Sequence, residues 1–138
     1  MNYKIISKYI KDVSFEIPTV QAFAVLEKEI SNYSLNFDIK SKTYKDNIIE
    51  VITTLKISPN QEVKHKILTE ITCAALVSIE RDHENRKELE KIILIKVPTE
   101  IYPSLYETFF FLFTQTGIKN IQIDKKIDFQ KLYEQRNK

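Results

Sequence analysis

Apolar and polar residues alternate with period two in four stretches of the chain, the pattern of strands that bury one face. Residues 3–17 place Tyr9, Val13, Phe15 and Ile17 on one face and Asp12, Ser14 and Glu16 on the other. The second stretch sets Tyr33, Leu35, Phe37 and Ile39 against Asn32, Ser34, Asn36 and Asp38. Residues 48–57 align Ile49, Val51, Leu55 and Ile57, and residues 63–80 align Val63, His65, Ile67, Thr69, Ile71, Cys73, Ala75, Val77 and Ile79. Ser58-Pro59-Asn60-Gln61 has turn chemistry and joins the last two as a hairpin, and residues 42–47 close the second and third. The result is an antiparallel meander with one greasy face and one mostly wet face.

Further on the period changes to that of helices. Residues 84–96 carry Leu89, Ile92 and Ile93 at helical spacing, with Pro98 expected to end the helix. Residues 104–116 are apolar nearly all round, through Leu105, Tyr106, Phe109, Phe110, Phe111, Leu112 and Phe113, and Gly117 stands where a cap belongs. Asp128 is placed to cap a last helix striped by Phe129, Leu132 and Tyr133. The class is α+β, with helices on one side of an antiparallel sheet. A helix on a single sheet buries one stripe, so the all-round apolar helix requires a second surface: a partner subunit or a groove for apolar ligands.

Length and charge narrow the class further. At 138 residues with no linker or repeat, one domain over residues 1–138 is expected, and 21 basic against 19 acidic residues leave a charge of +2. Both signs are interspersed, and the basic residues are 18 Lys with 3 Arg, so no basic stripe points to nucleic acid. With 21 Ile as well, this is the composition of an AT-rich genome. The apolar cluster at residues 109–113 is far short of the ~20 residues of a membrane span. The N-terminus has no signal-peptide pattern, and a lone cysteine fits a reducing compartment, so a cytoplasmic protein is expected.

Catalytic signals are weak. Gly117 is the sole glycine, which excludes a P-loop, a dinucleotide fingerprint and a Gly-x-Ser-x-Gly hydrolase. Lys87 stands where a metalloprotease helix beginning at His83-Glu84 needs its second His. His65 and Cys73 lie about 26 Å apart along one strand, too far for a dyad. Asp12 and Glu16 are about 13 Å apart, beyond the spacing of paired acid–base carboxylates. They read as a solvated face or as a docking surface for a basic partner. No catalytic residue, metal or cofactor is expected, and no enzyme.

Four motifs resemble the SecB-type protein-export chaperones. Residues 9–18, Tyr-Ile-Lys-Asp-Val-Ser-Phe-Glu-Ile-Pro, resemble that family's opening strand, and Asp46-Asn47-Ile48-Ile49-Glu50-Val51 is similar to its Asp-x-x-Tyr-Glu-Val strand. Pro98 and Pro103 keep its Pro-x-x-x-(Phe/Tyr)-Pro spacing with Tyr102, and Glu107 fits its acidic position. Residues 127–133 resemble its closing Ile-Asp-Phe-x-x-Leu-Tyr helix. The resemblance implies a four-stranded antiparallel sheet with helices on one side, assembled as a homotetramer, a dimer of dimers.

It also implies an ATP-independent holdase that wraps unfolded preproteins on apolar grooves and passes them to the zinc-containing tail of the SecA motor. Asp12, Glu16, Leu68 and Glu70 match the motor-docking positions, and Thr69, Ile71 and Cys73 the strand face used in assembly. Ala74 and Ala75 stand where the family often has Gly-Gly. Phe15, Val77, Ile79, Ile101 and Tyr102 are the expected lining of the client groove, with Phe109 and Phe113 behind. The chain departs from the pattern at Val97, for Cys, and at Tyr106, for Arg. Residues 119–138 hold six basic and three acidic residues where relatives end acidic. Two alternatives stand beside general export: a dedicated chaperone of one client such as an antitoxin, and a non-chaperone scaffold on the same fold.

Overall fold

A computed structural model describes residues 2–29, 33–61, 64–80, 85–118 and 123–136. Strands β1 (Tyr3–Glu16), β2 (Tyr33–Lys45), β3 (Ile48–Pro59) and β4 (Leu68–Ile79) form one antiparallel sheet in the order β1-β4-β3-β2. The meander is therefore β2-β3-β4, and β1 lies beside β4 instead of β2. Alternation identifies a strand but not its partner. Between β1 and β2 the chain forms a helix the strand pattern did not reveal, α1 (Val20–Glu29). Thr19 begins it, its Oγ1 accepting from the Ala22 amide at 3.0 Å, and Ala22 and Leu26, four apart, are fully buried.

The β2–β3 hairpin turns on Asp46 and Asn47, with Asp46 at φ 45°, a left-handed conformation that an Asp in a tight hairpin tolerates. β4 begins at Leu68, five residues later than the alternation suggested. His65 and Ile67 belong to the connection, and Val63 lies outside the described residues.

Two bulges interrupt β1. Ile6 and Lys11 are each left unpaired in the ladder to β4. Tyr3, Ile5, Lys8, Ile10, Val13 and Phe15 thus stand opposite the inward row of β4, while Tyr9 joins Asp12, Ser14 and Glu16 on the other face. The expected grouping of Tyr9 with Val13 and Phe15 fails because one inserted residue inverts the parity of every residue beyond it.

All helical cover falls on one side. α2 (Arg86–Lys91) starts at Asn85, whose side chain accepts from the Glu88 amide at 3.2 Å and donates to the Glu88 carboxylate at 2.9 Å. It runs through a π-helical turn (Ile92–Lys96) directly into α3 (Val97–Thr114), so Pro98 does not end the helix. The widened turn, closed by the Val97 amide on the Ile92 carbonyl, leaves Pro98 in the first turn of α3, where a missing N–H costs least. Gly117, at φ 81°, follows the end of α3 as expected. Asp128 caps α4 (Phe129–Arg136) through the Lys131 amide at 3.0 Å. The core lies between the sheet's inner rows and α3, with Ile101, Tyr102, Leu105, Phe109 and Phe113 against Val51, Leu55, Ile71, Ala75 and Val77. Each large side chain among them contributes about 2 kcal/mol of burial.

Candidate functional site

The face of the sheet away from the helices is open, and its register sets the side chains in rows. Glu16 stands beside Leu68, Ser14 beside Glu70, and Asp12 beside Thr72. The four sequence-identified docking positions, Asp12, Glu16, Leu68 and Glu70, therefore share one corner of one face. All four are exposed, Leu68 at 47 %. Among the described residues none of the three carboxylates enters an ion pair. A groove of about 570 Å³ beneath this corner is lined by Glu16, Leu68, Glu70, Lys56 and Lys66. Three carboxylates thus surround one apolar residue, and Lys56, the ladder partner of Glu70, and Lys66 bring positive charge to the same groove.

Lower on the same face, the Tyr9 ring lies over Ala74, which is fully buried, and its hydroxyl donates to Glu50. Lys11, projecting from the bulge, reaches the same carboxylate at 3.1 and 3.2 Å. The Tyr9 hydrogen bond first, then Lys11, hold the Glu50 carboxyl below the usual carboxylate range. A small residue at position 74 is what lets Tyr9 cross β4.

The expected groove residues lie elsewhere than expected. Val77, Ile101 and Phe113 are fully buried, and Ile79, Tyr102 and Phe109 nearly so, leaving Phe15 alone part-exposed, its ring edge-on to Phe113 at 5.1 Å. This corrects the expectation for Val77, Ile79, Ile101 and Tyr102, which form the core with Phe109 and Phe113, because apolar residues that pack under a helix carry the same spacing as residues that line a cleft. Likewise Thr69, Ile71 and Cys73 are 3 %, 0 % and 1 % exposed and face the helices, so they offer a partner no surface of their own. Burial also raises the Cys73 thiol above its ordinary range, and among the described residues no three metal-ligating groups converge.

What is open is the sheet margin at β2. One cavity of about 440 Å³ is lined by Leu35, Phe37, Ile39, Leu94, Phe129, Leu132 and Tyr133, together with the polar Asn36, Asp38 and Arg136. A second, of about 370 Å³, shares Leu35, Phe37 and Leu132 and extends to Tyr33 and Ile123. Behind them Phe37, Tyr102 and Phe129 form an edge-on aromatic cluster with centroids 5.1 to 6.1 Å apart. Tyr102 fastens the segment before α4 by donating to the Asp124 carbonyl at 2.6 Å, and burial pushes its phenol up to about 12. On the outer side of α3, Phe110 and Phe111 are 45 % and 62 % exposed, the uncovered circumference the sequence required. Alternation at Leu35, Phe37 and Ile39 was visible beforehand, but the second wall of the cavity comes from helices far along the chain. Among the described residues no helix is long and apolar enough to cross a membrane.

The comparisons agree with this architecture. The chain matches the family model described as preprotein translocase subunit SecB over residues 1–138. It is 45 % identical over 135 residues to a SecB relative from Pelagibacter ubique (strain HTCC1062), covering 98 % of this chain and 96 % of that one. Protein-export protein SecB of Cupriavidus taiwanensis is 29 % identical over 128 residues, 93 % of this chain and 72 % of that one. A Mycobacterium tuberculosis SecB-like chaperone, Rv1957, solved with a ChAD peptide from the Rv1956 HigA1 antitoxin, shares the fold. Its TM-score is 0.67 at 11 % identity, over 91 % of this chain and 88 % of that one. Whole-chain coverage by the family model, joined to a relative matched along nearly all of both chains, places this protein in the SecB family of preprotein translocase subunits.

Proposed function

We propose that the protein is an ATP-independent holdase of the cytoplasm that binds unfolded preproteins and delivers them to the Sec export motor. The observation that carries this reading, beyond family membership, is the pair of adjoining cavities along β2 with their rows of apolar side chains. Together they offer an unfolded chain an extended apolar surface, and no phosphate-cradling loop accompanies them among the described residues. Light scattering from a chemically denatured client, diluted with and without the protein, tests the idea. Suppression without nucleotide is expected, and a protein that delays aggregation of no client defeats it.

Delivery rests on the corner formed by Asp12, Glu16, Leu68 and Glu70, read as the dock for the motor's basic, zinc-containing tail. Assembly as a dimer of dimers belongs to the same reading. Thr69, Ile71 and Cys73 contribute to it from beneath, through the packing they support, while β1 offers the direct surface. Its outer edge is unpaired, and Ile6, Ile10 and Val13 are 51 %, 43 % and 43 % exposed along it. No catalysis is proposed.

One observation favours a dedicated chaperone as second reading. Residues 119–138 carry six basic and three acidic residues, which weakens attraction to a cationic tail. A toxin–antitoxin pair encoded beside this chain supports that reading; its absence favours general export.

A further inference from the structure

We propose that the open face of the sheet stacks on the same face of a second copy, turned so that the two ends of the strands exchange places. Register sets this face in cross-strand rows, and the sign of charge changes halfway along them. Toward the β2–β3 hairpin lie Lys4, Lys40, Lys42 and Lys45, with Lys11 reaching in from its bulge to Glu50, the acid among them. Toward the other end lie Asp12, Glu16, Asp38 and Glu70, with Lys56 as the base among them. The last basic row is Tyr9-Ala74-Ile52-Lys40, and the first acidic row is Asp12-Thr72-Thr54-Asp38, whose threonine hydroxyls bond to each other at 3.0 Å. The middles of the two halves lie about 20 Å apart along the strands. That is about twice the screening length at moderate ionic strength, so each half acts as a separate charged surface.

A complement to this face must carry the same polarity reversed, and a second copy turned about a two-fold axis along the rows carries it. With the axis midway between the Tyr9 row and the Asp12 row, Glu16 meets Lys4, Asp38 meets Lys40, and Lys56 meets Glu50, each contact occurring twice. The minority charge of each half thus falls opposite the minority charge of the other. A two-fold axis along the strands instead sets Lys4 over Lys45 and Asp12 over Asp38, so repulsion selects one orientation. Packed sheets lie about 10 Å apart, a gap that Lys and Glu side chains reach across. The Lys40–Asp38 contact within the chain, at 3.7 Å, is open to solvent and leaves both groups accessible, while Glu50 already holds Tyr9 and Lys11. Half-buried Ile48, Ile52 and Leu76 add apolar area between the charges. A stacked pair covers the corner of Asp12, Glu16, Leu68 and Glu70, so a second copy and a basic tail compete for it; this consequence alone rests on the docking reading.

Sedimentation velocity of the full chain at low and high salt tests this with two charge-reversed variants. Wild type at low salt is expected to reach about twice its mass at high salt, because screening removes the attraction. Lys4→Glu with Lys40→Glu makes both halves acidic, and Glu16→Lys with Asp38→Lys makes both basic, so each variant alone is expected to keep the lower mass at low salt. An equimolar mixture of the two variants restores every opposed pair and is expected to regain the doubled mass, which also shows that both are folded. A wild-type mass that does not change with salt, a variant that doubles alone, or a mixture that stays at the lower mass overturns the proposal. Loss of aggregation suppression or of tail binding is a separate result, since neither enters this measurement.

Discussion

Tyr9 crosses over Ala74 to donate its hydroxyl to Glu50, tying β1 to β3 across the intervening strand. Tyr9→Phe is expected to cost about 1 kcal/mol, and Ala74→Leu, which displaces the ring, about 1 to 3 kcal/mol, measured as urea midpoints. The Glu50 carboxyl is held below its ordinary 4.5, so its stabilising contribution is present above that value and is lost as pH falls through the folded one. The stability difference between wild type and Glu50→Gln should therefore shrink on acidification below about pH 4.5.

Alkaline pH tests the opposite sign. Tyr3, donating to Glu100 at 2.7 Å, and Tyr102, donating to the Asp124 carbonyl, have phenols raised to about 12 from 10. Their contribution is complete below pH 10 and disappears as pH rises through 12. Tyr102→Phe is expected to lose about 1 kcal/mol at neutral pH and to flatten the alkaline limb of the stability curve. Ultraviolet titration of phenolate absorbance identifies the late-titrating groups.

Neighbouring phenylalanines should behave differently. Phe109, 1 % exposed, belongs to the core, and Phe109→Ala is expected to cost about 3 to 5 kcal/mol. Phe111, 62 % exposed, should tolerate alanine within about 0.5 kcal/mol while weakening suppression of aggregation. Thermal melts and light scattering on both variants separate stability from holding.

These contrasts show what the sequence could reveal. Strands, the Asp128 cap and the Gly117 terminus arise from local chemistry and were legible. So was the anionic corner, because Asp12, Glu16, Leu68 and Glu70 keep their parity within unbroken runs of β1 and β4. Tyr9 was misplaced because a bulge leaves no mark in an alternating pattern. Pro98 passed through a helix because a π-helical turn, which depends on packing, relieved the constraint that proline imposes. The cavity at β2 escaped notice because its walls meet only through tertiary contact.

Assembly can be separated from folding on two adjacent rows. Ile71 is fully buried, so Ile71→Lys should destabilise the protomer itself by several kcal/mol. Its ladder partner Val13 is 43 % exposed, and Val13→Lys should keep the fold while lowering the mass in solution. Circular dichroism with size-exclusion light scattering distinguishes the two outcomes. A wild-type monomer at micromolar concentration ends the assembly proposal.

Docking is tested by Asp12→Ala with Glu16→Ala. Calorimetric titration with the isolated motor tail should show weakened binding, and wild-type affinity should fall between low and physiological salt. Client holding should persist. Equal binding by both proteins removes the basis for delivery and leaves the dedicated-chaperone reading ahead.

The two margins of the sheet carry different degrees of fidelity. β1 spends two residues, Ile6 and Lys11, on coiling instead of pairing, and their effects on facing cancel, so both ends of the strand remain in phase. A stray extended chain is straight and finds no continuous register there; a strand with the same two coils, as in an identical chain, can follow it. β2 has no such interruption before Thr43 and keeps a continuous register. One small sheet thereby carries an irregular margin, the one proposed for assembly, opposite a regular margin that adjoins the cavities proposed for clients.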